Sequence, residues 1–196
     1  MTLRWWYLRR GVAWHPLLGC CAAAALVTGL LARWPSNAPA FLPALLALCA
    51  AGSAFVYDEA ALPVVAVTPR GAAWRRTTRL GPAAAPLGLW TLVVLARPGD
   101  LPLQRSGWWL AGAATITLAA GLAALASRRE VGAPGSMLAA VLALALVGAL
   151  VVTSFLGWDS VYPIAGFSGG VWTFWLTLAA GGALALLAAL RPGIRA

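Results

Sequence analysis

Residues 166–170 read Gly-Phe-Ser-Gly-Gly, a match to the G-x-S-x-G pattern in which a tight turn presents a serine hydroxyl for nucleophilic attack. A serine hydroxyl is a weak nucleophile until a neighbouring base takes its proton, and the chain has one histidine, His15, to offer. Cys20, Cys21 and Cys49 lie in apolar runs with neither C-x-x-C spacing nor a histidine cluster, so they read as packing residues and predict no metal and no redox role. The acids are Asp58, Glu59, Asp100, Glu130 and Asp159. All fourteen basic residues are arginine. A Walker A loop needs a lysine to reach the nucleotide phosphates, so this chain carries no P-loop ATPase of its own.

The elements that would position these groups are apolar. With 62% hydrophobic residues, 10% charged residues and a mean hydropathy of +0.85, the composition is that of an integral membrane protein. Six apolar runs, about 12–31, 40–57, 80–96, 106–126, 136–156 and 171–190, each approach the roughly 20 residues that a helix needs to cross about 30 Å of hydrocarbon. The third is the weakest, because Pro82 and Pro86 crowd its start. Arg4, Arg9 and Arg10 before the first run resemble a leader, but no small-residue cleavage site follows, so that run is expected to be retained. The fold class expected is all-α, a polytopic membrane protein with six transmembrane helices in a single domain over 1–196.

This layout bears on the serine. G-x-S-x-G in a six-span chain is superficially similar to rhomboid intramembrane proteases, but His15 falls at the start of the first span and Ser168 at the start of the sixth. Those positions lie on opposite sides of the membrane, far beyond the roughly 3 Å reach of a hydrogen bond. The expectation is therefore a glycine-rich approach to the last helix and no hydrolase. Mid-membrane acids, the relay of a proton-driven carrier, are also missing from the predicted spans.

Arginines set the orientation. Eleven fall at the amino terminus, in 58–80, at Arg128 and Arg129, and in the tail at Arg191 and Arg195, while Arg33, Arg97 and Arg105 lie on the other side. The positive-inside rule then predicts that both termini are cytoplasmic. A net charge of +9 has no soluble basic face to serve nucleic-acid binding, and no nucleic-acid partner is expected. Only two connections have room for structure: the cytoplasmic 58–79 and the external 157–171, the latter with Trp158, Tyr162, Phe167 and Trp172. Gly112, Gly121, Gly148, Gly181 and Gly182 fall within spans, where small residues let helices approach closely.

Residues 55–80 read FVYDEAALPVVAVTPRGAAWRRTTRL. Asp58 and Glu59 suit a helix amino terminus, Pro69 and Gly71 mark a break, and Trp74, Arg75, Arg76 and Arg79 make the next piece amphipathic. Two readings stand: an interfacial helix on anionic lipid headgroups, or a docking element for a protein partner. This stretch resembles the corresponding part of small actinobacterial permease subunits of ABC exporters, which are ABC-2-like. The alanine- and arginine-rich, lysine-free composition suits such a source.

The resemblance implies a coupling helix that fits a groove of a separate ATPase subunit, with Asp58, Glu59, Pro69, Arg70, Arg75 and Arg76 at the matching positions. It further implies a short amphipathic helix at 1–11 and a folded or re-entrant external segment at 157–171. No cofactor is expected in this chain, and ATP and Mg would sit on the partner ATPase. A second permease copy or a different permease subunit would complete the complex in the bacterial cytoplasmic membrane. Two other classes remain open. One is the substrate-binding membrane subunit of a vitamin-uptake transporter, with Trp158, Tyr162, Phe167 and Trp172 on the external substrate path. The other is a non-transporting membrane scaffold or accessory subunit.

Overall fold

A computed structural model describes residues 3–58, 72–96, 104–129, 133–163 and 169–191. These residues form seven α-helices and, among them, no strand: α1 (Leu3–Gly11), α2 (Trp14–Arg33), α3 (Ala38–Phe55), α4 (Ala72–Ala96), α5 (Arg105–Ala126), α6 (Pro134–Leu156) and α7 (Gly169–Leu190). Helices α2 to α7 are long and apolar enough to cross a membrane. The chain is thus a six-span, all-α protein of the polytopic membrane type.

Five of the spans begin and end within a few residues of the apolar runs, because in lipid a helix persists until its side chains turn polar or its backbone meets a breaker. The exception is α4. The sequence predicted a separate amphipathic piece up to Leu80 and a span that starts there, whereas one 25-residue helix runs from Ala72 through Pro82 and Pro86 to Ala96. A proline leaves a carbonyl of the preceding turn without its helical donor, so neighbouring helices must supply one. Pro82 and Pro86 free the carbonyls of Thr78 and Pro82, and next to the latter Ser53 of α3 donates its hydroxyl to the Ala83 carbonyl at 3.0 Å, which ties α3 to α4 at the proline-containing turn.

Helix α3 is the hub. It packs against α2, α4, α5 and α6, and its residues Ala38, Leu42, Leu45, Leu46, Ala50 and Ala54 are almost wholly buried. The tightest pairing is α5 with α7. There a Cβ at Gly121 would strike the Gly182 carbonyl, and one at Gly182 would strike the backbone of Leu118. Gly112 is held close by the Trp90 indole, whereas Gly148 and Gly181 have nothing within 4 Å. Helices α2, α6 and α7 turn long apolar faces outward, as at Leu144, 77% exposed, and Phe155, 88% exposed. In a bilayer these faces meet lipid tails.

An aromatic column links α4, α5 and α7. Trp90 lies 6.3 Å from Trp108, Trp108 stacks on Tyr162 at 5.6 Å with only 6° between planes, and Tyr162 lies 6.0 Å from Trp175. Tyr162 comes from the stretch after α6, which ends at Gly157 with a left-handed φ of 65° and a Trp158 N–H bonded to the Thr153 carbonyl. From there the backbone folds back into the bundle. The Tyr162 hydroxyl donates to the Leu146 carbonyl at 2.6 Å and the Trp175 Nε1 donates to the Val161 carbonyl at 2.9 Å.

Candidate functional site

The end of the bundle that carries most of the described charge is built by α1, the end of α3, the start of α4, the end of α5 and the start of α6. Helix α3 finishes at Phe55, and the Tyr57 and Asp58 N–H groups bond back to the Ala54 and Phe55 carbonyls in a turn that closes its end. Asp58 is buried. Its carboxylate oxygen Oδ1 accepts the Gly135 N–H at 2.6 Å, in the first turn of α6. Pro134 is pre-shaped for the first helical position, and Gly135 is small because a Cβ there would press on the Ala54 carbonyl. A carboxylate at a helix amino terminus satisfies an otherwise orphan donor and meets the positive end of the dipole. Burial nevertheless pushes the Asp58 carboxyl above its ordinary value of 3.8, against the pull of the Gly135 and Ser136 N–H groups and of Arg79.

Arg79 is 3% exposed and crosses three elements. Its Nη1 donates to the Tyr57 carbonyl at 3.0 Å and its Nη2 to the Gly11 carbonyl at 3.1 Å. The guanidinium carbon also lies 5.5 Å from the centre of the Tyr7 ring, which itself packs on Trp74 at 5.4 Å. Each of these contacts fixes α1 and α4 to the end of α3. The arginines of this helix therefore do not form one face turned to the surroundings, as an interfacial helix would require: Arg76 and Arg79 are buried, Arg75 is half-buried.

Arg76, 8% exposed, is held differently. Its Nε, like that of Arg79, is buried without a hydrogen-bond partner, and among the described residues the charges acting on it are the like charges of Arg128 and Arg75 together with the Tyr57 hydroxyl. Arg128 donates from Nη1 to the Ala188 carbonyl at 2.7 Å, tying the end of α5 to the last turn of α7. The Tyr57 hydroxyl is likewise buried without a partner. Burial pushes that phenol up to about 12, although Arg79 and Arg76 act in the opposite direction.

Of the predicted coupling positions, the structure brings Asp58, Arg75 and Arg76 to this one end; Glu59, Pro69 and Arg70 lie outside the described residues. At the opposite end the four aromatic candidates part company. Trp158 is 66% exposed, Tyr162 is buried in the aromatic column, and Trp172 lines an open groove of about 370 Å³ with Val94, Leu95, Arg105, Trp109 and Leu110. Phe167 and Ser168 lie outside the described residues. Among the described residues no group of three or more His, Cys, Asp or Glu side chains could hold a metal ion.

Sequence reasoning passed over Tyr57, Gly135 and the separate duties of Arg76 and Arg79. The signal for the arginines was present in their three-residue spacing, which puts both on one side of a helix. Which side faces inward depends on α1 and α3, and no local pattern specifies that.

No protein-family description, curated protein or solved structure matches this chain.

Proposed function

We propose that the chain is the membrane-spanning permease subunit of an ATP-driven ABC exporter, in the bacterial cytoplasmic membrane, with ATP hydrolysis on a separate subunit. The observation that supports this reading is the anchoring of both ends of the 58–79 segment. At one end Asp58 is bonded to the first turn of α6, and at the other Arg79 is bonded to the Tyr57 and Gly11 carbonyls. A displacement of either anchor by a partner is felt by α1, α3, α4 and α6 together, because Asp58 and Arg79 bond directly to them. Transport then follows from a population shift between inward-facing and outward-facing bundles, each favoured by one nucleotide state of the partner.

A second reading has one observation in its favour. The apolar groove beside Trp172 is of the size of small-ligand sites, which suits a substrate-binding subunit of a vitamin-uptake transporter. One experiment separates the two. The chain is purified in mild detergent from its native membrane and whatever co-elutes is identified, first for the natural chain and then for Asp58, Glu59, Arg70, Arg75 and Arg76 changed singly to alanine. The exporter reading expects a co-eluting ATPase and a loss of that partner, or of transport-coupled ATP turnover, at one or two of the five positions. Truncating one side of a buried charged contact costs about 2–5 kcal/mol, enough to empty the complex. Equal co-elution from all five variants, or a bound small solute and no ATPase, rejects it.

A further inference from the structure

Helix α1 carries an inference that does not depend on the transport reading. Its nine residues hold three arginines and no acid. Tyr7 and Gly11 are buried against the bundle, whereas Leu3, Arg4, Trp5, Trp6, Arg9 and Arg10 are exposed. With about 100° of turn per residue, the outward arc runs Trp5, Arg9, Trp6, Arg10, Leu3. Tryptophan and arginine therefore alternate around it instead of sorting into an apolar and a polar half, and the Arg10 guanidinium carbon lies 5.2 Å from the centre of the Trp6 ring.

Such an arc suits neither bulk water nor hydrocarbon. Trp5 at 55% and Trp6 at 40% exposure would leave large rings wet, and an arginine among lipid tails is costly. The headgroup layer accommodates both: an indole there buries its ring and keeps its N–H wet, and a guanidinium meets phosphates that match its planar fork.

The packing of α1 sets it at that level. Its Leu8 carbonyl accepts the Trp14 Nε1–H at 2.9 Å, and its Tyr7 ring packs on Trp74 at 5.4 Å. Trp14 and Trp74 are the first residues of two membrane-length stretches. The Gly11 carbonyl, held by Arg79, is at most about 11 Å of extended chain from Trp14. The helix thus stays beside the points where α2 and α4 enter the membrane, with its tryptophan and arginine arc turned away from the bundle.

We propose that the outward face of α1 is a binding surface for anionic phospholipid. Arg4, Arg9 and Arg10 meet the headgroup phosphates, and Trp5 and Trp6 fill the layer between them. Lipid charge then bears on the bundle through the Tyr7 and Arg79 contacts that fix α1 to α3 and α4.

The test uses the full chain with Cys20, Cys21 and Cys49 replaced by alanine, a fluorophore on Leu3→Cys, and nanodiscs of phosphatidylcholine and phosphatidylglycerol in equal amounts. A nitroxide near the headgroup, carried by one lipid or by the other, quenches the fluorophore according to how much of that lipid lies beside α1. Phosphatidylglycerol should quench several-fold more than phosphatidylcholine. Arg4→Gln, Arg9→Gln and Arg10→Gln should each lower that ratio by up to about fivefold, the equivalent of about 1 kcal/mol per arginine at an anionic surface, and together should bring it to one. Salt at about 1 M, which shortens the reach of exposed charges to about 3 Å, should do the same. Trp5→Ala with Trp6→Ala should weaken quenching by both lipids and keep their ratio, because ring burial does not depend on headgroup charge. Arg128→Gln removes an exposed arginine outside α1 and should leave the ratio unchanged.

A ratio that survives loss of all three α1 arginines, or that falls as far in Arg128→Gln as in the triple variant, overturns the proposal. Equal quenching by the two lipids around the natural arc also overturns it and leaves that face to an acidic protein.

Discussion

A carboxylate placed on the first turn of a neighbouring helix would ordinarily be made more acidic, yet the Asp58 carboxyl stands above its usual value because its burial outweighs the two N–H groups and Arg79. The native state therefore holds the proton more tightly than the unfolded chain. Its contribution to stability is complete below the ordinary carboxylate value and is lost as pH rises through the raised one. Asp58→Asn keeps an oxygen for the Gly135 N–H and carries no charge, so it should show no such loss. The expected outcome is that wild type and Asp58→Asn unfold alike at acid pH, and that wild type falls behind as the medium is taken to neutrality, read from unfolding midpoints in detergent. If wild type instead gains on the asparagine variant with rising pH, the helix terminus dominates over burial. The sequence singled out Asp58 for its charge. Its partner, 77 positions away at Gly135, lay beyond any local pattern, because a cap donated from one helix to another depends on tertiary packing.

At the scale of elements, the six spans were legible because each is a run of apolar side chains about as long as the hydrocarbon is thick. The start of α4 was not. Pro82 and Pro86 read as a boundary, whereas the helix runs on through both, tied to α3 at that turn by Ser53 and buried at its start through Arg76 and Arg79. The glycines divide for a similar reason. All were expected to serve packing, but only those that face a neighbour do so, and facing is decided by how the helices are rotated. Gly121→Ala and Gly182→Ala should each cost about 1–3 kcal/mol, since the added methyl meets backbone atoms that have little room to give. Gly148→Ala and Gly181→Ala meet nothing and should be neutral or stabilising by up to about 1 kcal/mol through helix propensity. Unfolding by graded sodium dodecyl sulfate in mixed micelles distinguishes the pairs; equal effects at all four positions would remove the special role of the α5–α7 seam.

At the scale of the molecule, the bundle has two unlike ends: one gathers Asp58, Arg75, Arg76, Arg79 and Arg128, and the other holds Trp34, Trp109, Trp158 and the groove beside Trp172. With eleven arginines against three, the first end is expected to be cytoplasmic. After Cys20, Cys21 and Cys49 are replaced by alanine, a cysteine at position 75 should react with an impermeant maleimide only from the cytoplasmic side. One at position 158, where the natural tryptophan is 66% exposed, should react only from outside. Labelling of both positions from one face would break the six-span topology.

Arg79 has a further consequence, for the order in which the protein is made. The guanidinium that closes α1 onto α3 lies 68 residues after the Gly11 carbonyl it binds, and 22 after that of Tyr57. At a synthesis rate of about 5–20 residues per second, α1 waits roughly 3–14 s for its partner. During that interval α2 and α3 are already made, and the hairpin they form is unlocked at the arginine-rich end. The arrival of α4 is then the step at which the nascent bundle latches, so Arg79→Gln should leave ribosome-bound chains in which α1 stays open to protease after the fourth helix has emerged.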